Sequence, residues 1–547
     1  PGWHKTGMGL GGVTYYSSYP VFNDVIKHVR WIDVASWNER GYPASANTGQ
    51  NVRARAAIGD GHLWPEGNYT LTWTGAGEVK MNRGNAELVS EDLASDPKER
   101  VYKWTPEEYG LEIEIVSYPV DNIHLYIPGQ KDNPSMWNPE YVEYMKPFSG
   151  THLRFMDTNG TNGSQQENWS DRMPKDWSTY TNNNNNSAAW DNKGHVSYEA
   201  MIELCNEIGS DIWVCIPHKA TEDYVTKLAH LIKTGVDQAS GIKTTEPLKS
   251  NLKVWLEYSN EVWNPGFSQT QWVQNNIAGS DLDDKYATHA VSLYDIFETE
   301  FSAPDRILRV LGTQFGYSGG FRTENRLAAV PRDKYDALAL TTYFDADFRQ
   351  FMYENWPITV DQAIEYLEEA IGDGIFKDGE PNREAVNLYW TYYHARQNDV
   401  PVISYEGNEH INPVGRIDTD NDGKKDNDLN AVIPEATDFI HSVMRDNRIE
   451  GIYKKWLTRH TQSGLVTNTP FVLLDGWSQY GQWGHVEYIG QSVDEAPKYK
   501  ALLDFYELPY PGDTATGDAT PPTVPTITSV DSLTQTSVEV SWTASTD

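Results

Sequence analysis

Two carboxylate-bearing stretches and one acidic loop carry most of the chemistry this sequence could perform. The first stretch, Trp255-Leu256-Glu257-Tyr258-Ser259-Asn260-Glu261-Val262-Trp263-Asn264, opens as an apolar run and passes into a polar turn that ends beside aromatic rings. A carboxyl at Glu261, next to the Asn260 amide and among rings, would lose part of its hydration. Its pKa would then rise, as a general acid requires. Position alone favours a surface glutamate at a strand end. The acidic loop, Asp418-Thr419-Asp420-Asn421-Asp422-Gly423-Lys424-Lys425-Asp426, has carboxylates at alternate positions and glycine at the sixth. That pattern wraps a hard cation in oxygen ligands, and Asp418, Asp420, Asp422 and Asp426 are the expected ligands. Leu429 stands at the twelfth position, so the loop is not a complete EF-hand. It looks like the shorter calcium loops of extracellular repeats, with a solvated acidic loop as the alternative. Gly316-Tyr317-Ser318-Gly319-Gly320 matches the short G-x-S-x-G pattern of a nucleophilic serine, but no convincing histidine partner motif follows. Neither H-E-x-x-H nor C-x-x-C occurs, so no catalytic zinc site is expected.

The elements that must position these residues alternate between short apolar runs and amphipathic helical patterns. Apolar runs fall at 29–34, 152–156, 211–216, 252–258, 307–311, 337–341, 401–405 and 471–474. Helical patterns fall at 198–208, 224–232, 360–371, 435–444 and 496–506. Eight parallel strands with helices between them close most simply as a (β/α)8 TIM barrel, an α/β fold that keeps its sites at the C-terminal rim. A doubly wound open sheet is the rival. Alternating strands at about 64–128 predict an antiparallel β-rich insertion after the first barrel strand. A second insertion at 157–193 carries Trp169, Trp177 and Trp190 and would overhang the rim; its run Asn182 to Asn186 reads as a mobile tip.

The chain has 547 residues and a net charge of −34, which disfavours nucleic acid or an anionic membrane surface as its partner. It contains 20 Trp, 32 Tyr and 15 Phe. In so polar a chain these rings suit a sugar-binding surface, where pyranose faces stack and hydroxyls find polar partners; a large aromatic core is the plainer reading. Cys205 and Cys215 both sit in apolar runs and are expected to be free buried thiols. No apolar stretch is long enough to span a membrane, and the first residues carry no signal-peptide pattern, so any leader is expected to be already removed. Residues 511–524 form a small-residue, proline-containing linker, and 525–547 hold two alternating strands, the second ending in Trp542. This tail resembles the start of a fibronectin type III module, cut short, and implies further C-terminal modules. The tail, the acidic balance and the Asn/Gly-rich loops together suggest an extracellular, secreted protein.

With these elements in place, residues 1–510 resemble the clan A retaining glycoside hydrolases. Members of that clan end the fourth barrel strand in an Asn-Glu pair and the seventh in a second Glu. Asn260-Glu261 occupies the first position, and Glu406 in Pro401-Val402-Ile403-Ser404-Tyr405-Glu406-Gly407-Asn408-Glu409-His410 occupies the second. The resemblance implies Glu261 as acid/base, Glu406 as nucleophile, and Asn260 as the ligand of the hydroxyl next to the reacting carbon. Glu409, three residues on, competes for the nucleophile's place but lies further into the loop. His218 after the third strand, Tyr343 after the sixth and Trp477 after the eighth would bind substrate, with Trp263 and Trp483 as further stacking walls. Catalysis would need no cofactor, and calcium would be structural. The expectation is an endo-acting hydrolase of a plant or algal polysaccharide. Cellulose, mannan, xylan and algal galactan would all use the same carboxyl pair. The alternatives are a non-catalytic carbohydrate-binding protein on the same barrel and, more remotely, a serine esterase using Ser318.

Overall fold

A computed structural model describes residues 3–59, 63–83, 85–107, 109–181, 196–315, 320–372, 376–377, 380–381, 392–420, 422–512, 527–534 and 537–542. Trp190, the Asn182 to Asn186 run and Ser318 lie outside the described residues. The chain divides into two compact units, Pro1–Pro511 and Gly512–Asp547. The first is built on eight parallel strands paired in chain order: β1 (Met8–Gly9), β2 (His152–Arg154), β3 (Asp211–Ile216), β4 (Val254–Tyr258), β5 (Ile307–Gly312), β6 (Ala337–Thr341), β7 (Val402–Glu406) and β8 (Leu465–Thr467). A parallel bridge between Thr6 and Asn468 joins the last strand back to the first, with Gly7 N donating to Asn468 O at 2.8 Å. The fold is therefore a (β/α)8 barrel.

Every residue of β3, β4, β6 and β7 is buried, because each strand meets helices outside and side chains inside. Strands covered on both faces read as continuous apolar runs, which is why these segments were legible. Between them run helices such as Tyr198–Ile208, capped by the Ser197 hydroxyl, and Glu222–Thr234, capped by Thr221. The second ends at Gly235, whose φ is +73°; a Cβ there would lie 2.1 Å from Thr245 O, so glycine alone fits. Trp213, Trp255, Val310, Ala339 and Ile403 fill the barrel interior, with the rings of Trp213 and Trp255 stacked 5.1 Å apart.

Two expected barrel strands are displaced. The 29–34 run does not enter the barrel: Arg30–Ile32 pairs antiparallel with Val52–Ala56 in the insertion. The first barrel strand is instead the two-residue β1, set in a glycine-rich segment without a strand signal. Its glycines permit close approach, since a Cβ on Gly7 would lie 2.2 Å from the His152 ring and one on Gly9 2.8 Å from Pro470 O. The insertion thus starts at Arg30 and ends with Asp121–Tyr126. Its two four-stranded antiparallel sheets share one core that includes Trp31, Trp73, Trp104 and Ile113. Likewise β8 is Leu465–Thr467, too short to stand out in the sequence. The 471–474 run follows it and lies between the ends of β7 and β1, with Phe471 N donating to Gly407 O at 2.9 Å and Leu473 N to Gly9 O at 3.0 Å.

In the second unit, Ile527–Thr534 and Ser537–Trp542 form an antiparallel hairpin with Val530 opposite Val540. Cys205 and Cys215 are free and buried.

Candidate active site

β2, β4 and β7 deliver four side chains to one buried network at the barrel mouth. Arg154, the last residue of β2, is 1% exposed, and its guanidinium lies over the rings of Trp213 and Tyr405 at 5.4 and 5.2 Å. It donates from Nε to Glu257 Oε2 at 2.9 Å, from Nη1 to Glu406 Oε1 at 2.9 Å, and from Nη2 to Asn260 Oδ1 at 2.8 Å. One planar fork therefore fixes residues of β4, the loop after it, and β7. Glu257 also accepts from Trp213 Nε1 at 3.0 Å, so the partner that anchors the arginine is itself anchored.

Glu406 reaches this network through a break in the ladder. Leu340 pairs with Ser404 but the next residue, Thr341, pairs with Glu406, so Tyr405 is passed over as in a bulge. Consequently two adjacent residues both face the mouth, Tyr405 packing in the barrel core and Glu406 meeting Arg154. The second oxygen of Glu406 accepts from the Tyr343 hydroxyl at 3.0 Å.

After β4 the chain turns sharply. Ser259 and Glu261 have φ of +58° and +45°, left-handed conformations that cost a non-glycine residue about 1 kcal/mol or more and cluster at functional sites. Gln269 Nε2 holds the turn by donating to Asn260 O at 3.0 Å and Asn162 Oδ1 at 2.7 Å, and Asn260 Nδ2 donates to the same Asn162 oxygen at 3.1 Å. The turn carries the half-buried Glu261 over the mouth. There Oε2 accepts from Asn264 Nδ2 at 3.2 Å, and Oε1 lies 3.4 Å from the Tyr405 hydroxyl, which accepts in turn from Trp263 Nε1 at 3.1 Å.

The two rim carboxyls feel each other. Burial, and then the charge on Glu406, push the Glu261 carboxyl up to about 8. Burial also raises Glu406, but Arg154 and the Tyr343 hydroxyl both favour its ionised form. Glu406 has the cation and, among the described residues, Glu261 has none, so the first proton lost from the pair comes from Glu406. At neutral pH the arrangement holds one carboxylate facing one carboxylic acid.

A cleft of about 350 Å³ opens at Glu261, lined also by Trp263, Tyr343, Phe344, Asp345 and His410 among others. Trp483 stands beside it, its ring 5.9 Å from that of Tyr343 and 5.4 Å from that of His410. Asn260, Glu261, Trp263, Tyr343, Glu406 and Trp483 are thus brought together. Trp477 meets cations instead, with Arg445 and Lys498 over its ring at 5.1 and 4.9 Å. His218 is buried with its ring edge-on to Trp272, and burial pushes its pKa down to about 4. Glu409 is committed to an ion pair with the fully buried Lys498, 3.3 Å away, and accepts from Ile411 N at 3.0 Å. This leaves Glu406 as the carboxyl coupled to Glu261.

Carboxylate oxygens of Asp418, Asp420 and Asp422 lie within 4.8 Å of one another, and Gly423 N donates to Asp418 Oδ2 at 2.9 Å. Asp426 is not in that group; its carboxylate accepts from Asn427 Nδ2 at 2.7 Å. The residues that sequence reasoning missed are Arg154, Glu257, Tyr405, Asn162 and Gln269. For the first two a signal existed, since a lone charge inside each of two apolar strand runs must find a partner within the barrel.

No protein-family model matches the chain, and no curated protein matches it. Among solved structures, a GH51 arabinofuranosidase from Xanthomonas axonopodis pv. citri aligns with a TM-score of 0.38 and 11% identity, over 64% of this chain. The chain spans 63% of that enzyme's length. An endo-β-1,4-mannanase from Thermotoga petrophila aligns with a TM-score of 0.31 and 9% identity, over 70% of this chain and 74% of its own. A broad-specificity GH5-4 endoglucanase from Clostridium acetobutylicum aligns with a TM-score of 0.31 and 11% identity, over 68% of this chain and 91% of its own.

Proposed function

We propose that the chain is a retaining glycoside hydrolase in which Glu406 is the nucleophile and Glu261 the acid/base. The observation that carries this reading is the unequal treatment of the two carboxyls. Glu406 is gripped by Arg154 and Tyr343, while Glu261 has no cation of its own among the described residues and is raised to about 8. In the first step a Glu406 oxygen attacks the anomeric carbon. The glycosidic bond breaks, and its oxygen leaves with the Glu261 proton, which yields a glycosyl ester on Glu406. Forming that ester removes the charge on Glu406, which lowers the pKa of Glu261 and prepares it as a base. In the second step Glu261 takes a proton from water, the water oxygen attacks the same carbon, and Glu406 departs as carboxylate. Arg154 and Tyr343 stabilise that departing charge. Asn260 keeps one amide proton beyond the one given to Asn162, and this proton would meet the hydroxyl next to the reacting carbon.

The substrate in this reading is a plant or algal polysaccharide cut within the chain. The cleft is open to solvent along the rim and walled by Trp263, Tyr343 and Trp483, which suits a polymer passing through. Secretion goes with that substrate. We read 1–510 as the catalytic barrel, 511–524 as a linker, and the hairpin that ends in Trp542 as the start of a fibronectin type III module. Calcium at Asp418, Asp420 and Asp422 would stiffen the loop after β7; loss of thermal stability on chelation, restored by calcium, tests it. The function is tested by reducing-sugar release across cellulose, mannan, xylan and agarose, comparing the unaltered chain with Glu261→Gln and Glu406→Gln. The reading requires at least one polymer to be cut and both substitutions to abolish cutting. Activity that survives both removes this site.

A further inference from the structure

A cavity of about 720 Å³, twice the volume of the catalytic cleft, lies between the β-rich insertion and the segments that follow β2 and β3. The two share no lining residue. We propose that this cavity is a second carbohydrate-binding site, which holds a neutral segment of polysaccharide away from the carboxyl pair.

Two observations point to that ligand class. First, the wall carries flat rings: His124 and Tyr126 stack with centroids 5.7 Å apart, and both are half-exposed to the cavity. A pyranose ring offers the C–H face that such a stack receives. Second, most charges along the wall are engaged within the protein. Asp24 binds His124 at 2.7 Å, Glu199 binds Arg172 at 3.1 Å, Glu203 binds Lys175, and Arg40 binds Asp121. Lys27 donates to the Lys175 and Trp177 carbonyls. A lining whose charges are held in this way leaves little field for a phosphate, a sulfate or a polycation, and suits a ligand that is polar and uncharged. The volume lies within the range of about 300–1,000 Å³ typical of ligand sites and admits a short oligosaccharide.

The test measures binding rather than turnover. The chain carrying Glu406→Gln is co-sedimented with insoluble cellulose, mannan, xylan and agarose, with and without Tyr126→Ala or Ile242→Trp. Ile242 is 61% exposed at the cavity edge, so a tryptophan there blocks entry without removing any core contact. Thermal melting verifies that each variant is folded. Either change is expected to weaken retention on one polymer about tenfold, the loss of one ring-sugar contact. In the otherwise unaltered chain both should leave hydrolysis of a short aryl glycoside unchanged. Unaltered retention in both variants, or no retention of any polymer by the parent, overturns the proposal. If retention depends on Tyr126 while the unaltered chain cuts nothing, the second site stands and the hydrolase reading falls. If cutting occurs and retention ignores Tyr126, the reverse holds.

Discussion

The raised proton affinity of Glu261 gives the mechanism a quantitative signature. With its carboxyl half-titrated near 8, Glu261 is about 99% protonated at pH 6, whereas a glutamate at the ordinary 4.5 would be about 3% protonated. The site therefore holds about thirtyfold more of the acid form at that pH. The first step consumes this form, so kcat/KM should stay flat through neutral pH and fall about tenfold per unit above 8. Glu261→Gln keeps the side-chain shape and removes the transferable proton. On polysaccharide it should cost about 10²–10⁴ in kcat/KM and abolish the alkaline limb. On an aryl glycoside with a dinitrophenolate leaving group, which departs without protonation, the first step should survive. The defect then moves to hydrolysis of the ester and shows as a burst of phenolate. The assay is stopped-flow release of phenolate beside reducing-sugar release, each from pH 5 to 10. An alkaline limb near 8 that persists in Glu261→Gln, or a loss on polysaccharide below tenfold, would refute the reasoning.

Other expectations follow from neighbouring contacts. Tyr405→Phe removes a hydroxyl that holds the Glu261 proton affinity down, so the alkaline limb should move above 8, read from the same pH series. Lys498→Met leaves Glu409 buried without its cation and should cost about 3–5 kcal/mol by chemical denaturation. Glu409→Gln should keep kcat within a few fold, which would separate it from Glu406. His152, His460 and His485 are buried and, mainly through burial, held neutral down to about pH 3. The unfolded chain binds protons there that the folded chain refuses. Stability is complete above about 6.5 and falls with pH, by up to about 1.4 kcal/mol per histidine per unit between 6.5 and 3. Denaturation midpoints at pH 7 and pH 5 measure that slope.

The strands that were legible in the sequence are those buried on both faces, because their apolar runs are continuous: β3, β4, β6 and β7 are the clearest. β1 was hidden because its glycines serve close packing rather than strand propensity, and β8 because three residues make no pattern. With β1 hidden, the apolar run at 29–34 was the nearest strand signal and stood in for the barrel's start. Asn260, Glu261 and Glu406 were picked out by their resemblance to the strand ends of a known clan, since position at the rim alone reads as well as an ordinary polar residue at a strand end. What was not legible is the clamp beneath them. Arg154, Glu257 and Asn260 meet only because three strands share a register, and Tyr405 reaches Glu261 only because the ladder skips it. Such contacts depend on facing direction, which a bulge changes without leaving a mark in composition.

The central claim is that Glu406 forms the bond to the sugar. The most direct measurement is inactivation by a 2-deoxy-2-fluoro glycoside of whichever sugar the polysaccharide panel identifies, followed by intact mass and peptide mapping. The account requires one equivalent of fluorosugar on the peptide that contains Glu406, none in the Glu406→Gln chain, and hydrolysis with retention at the anomeric carbon by NMR. A label on Glu409, or an inverted anomer released with no label at all, would contradict it.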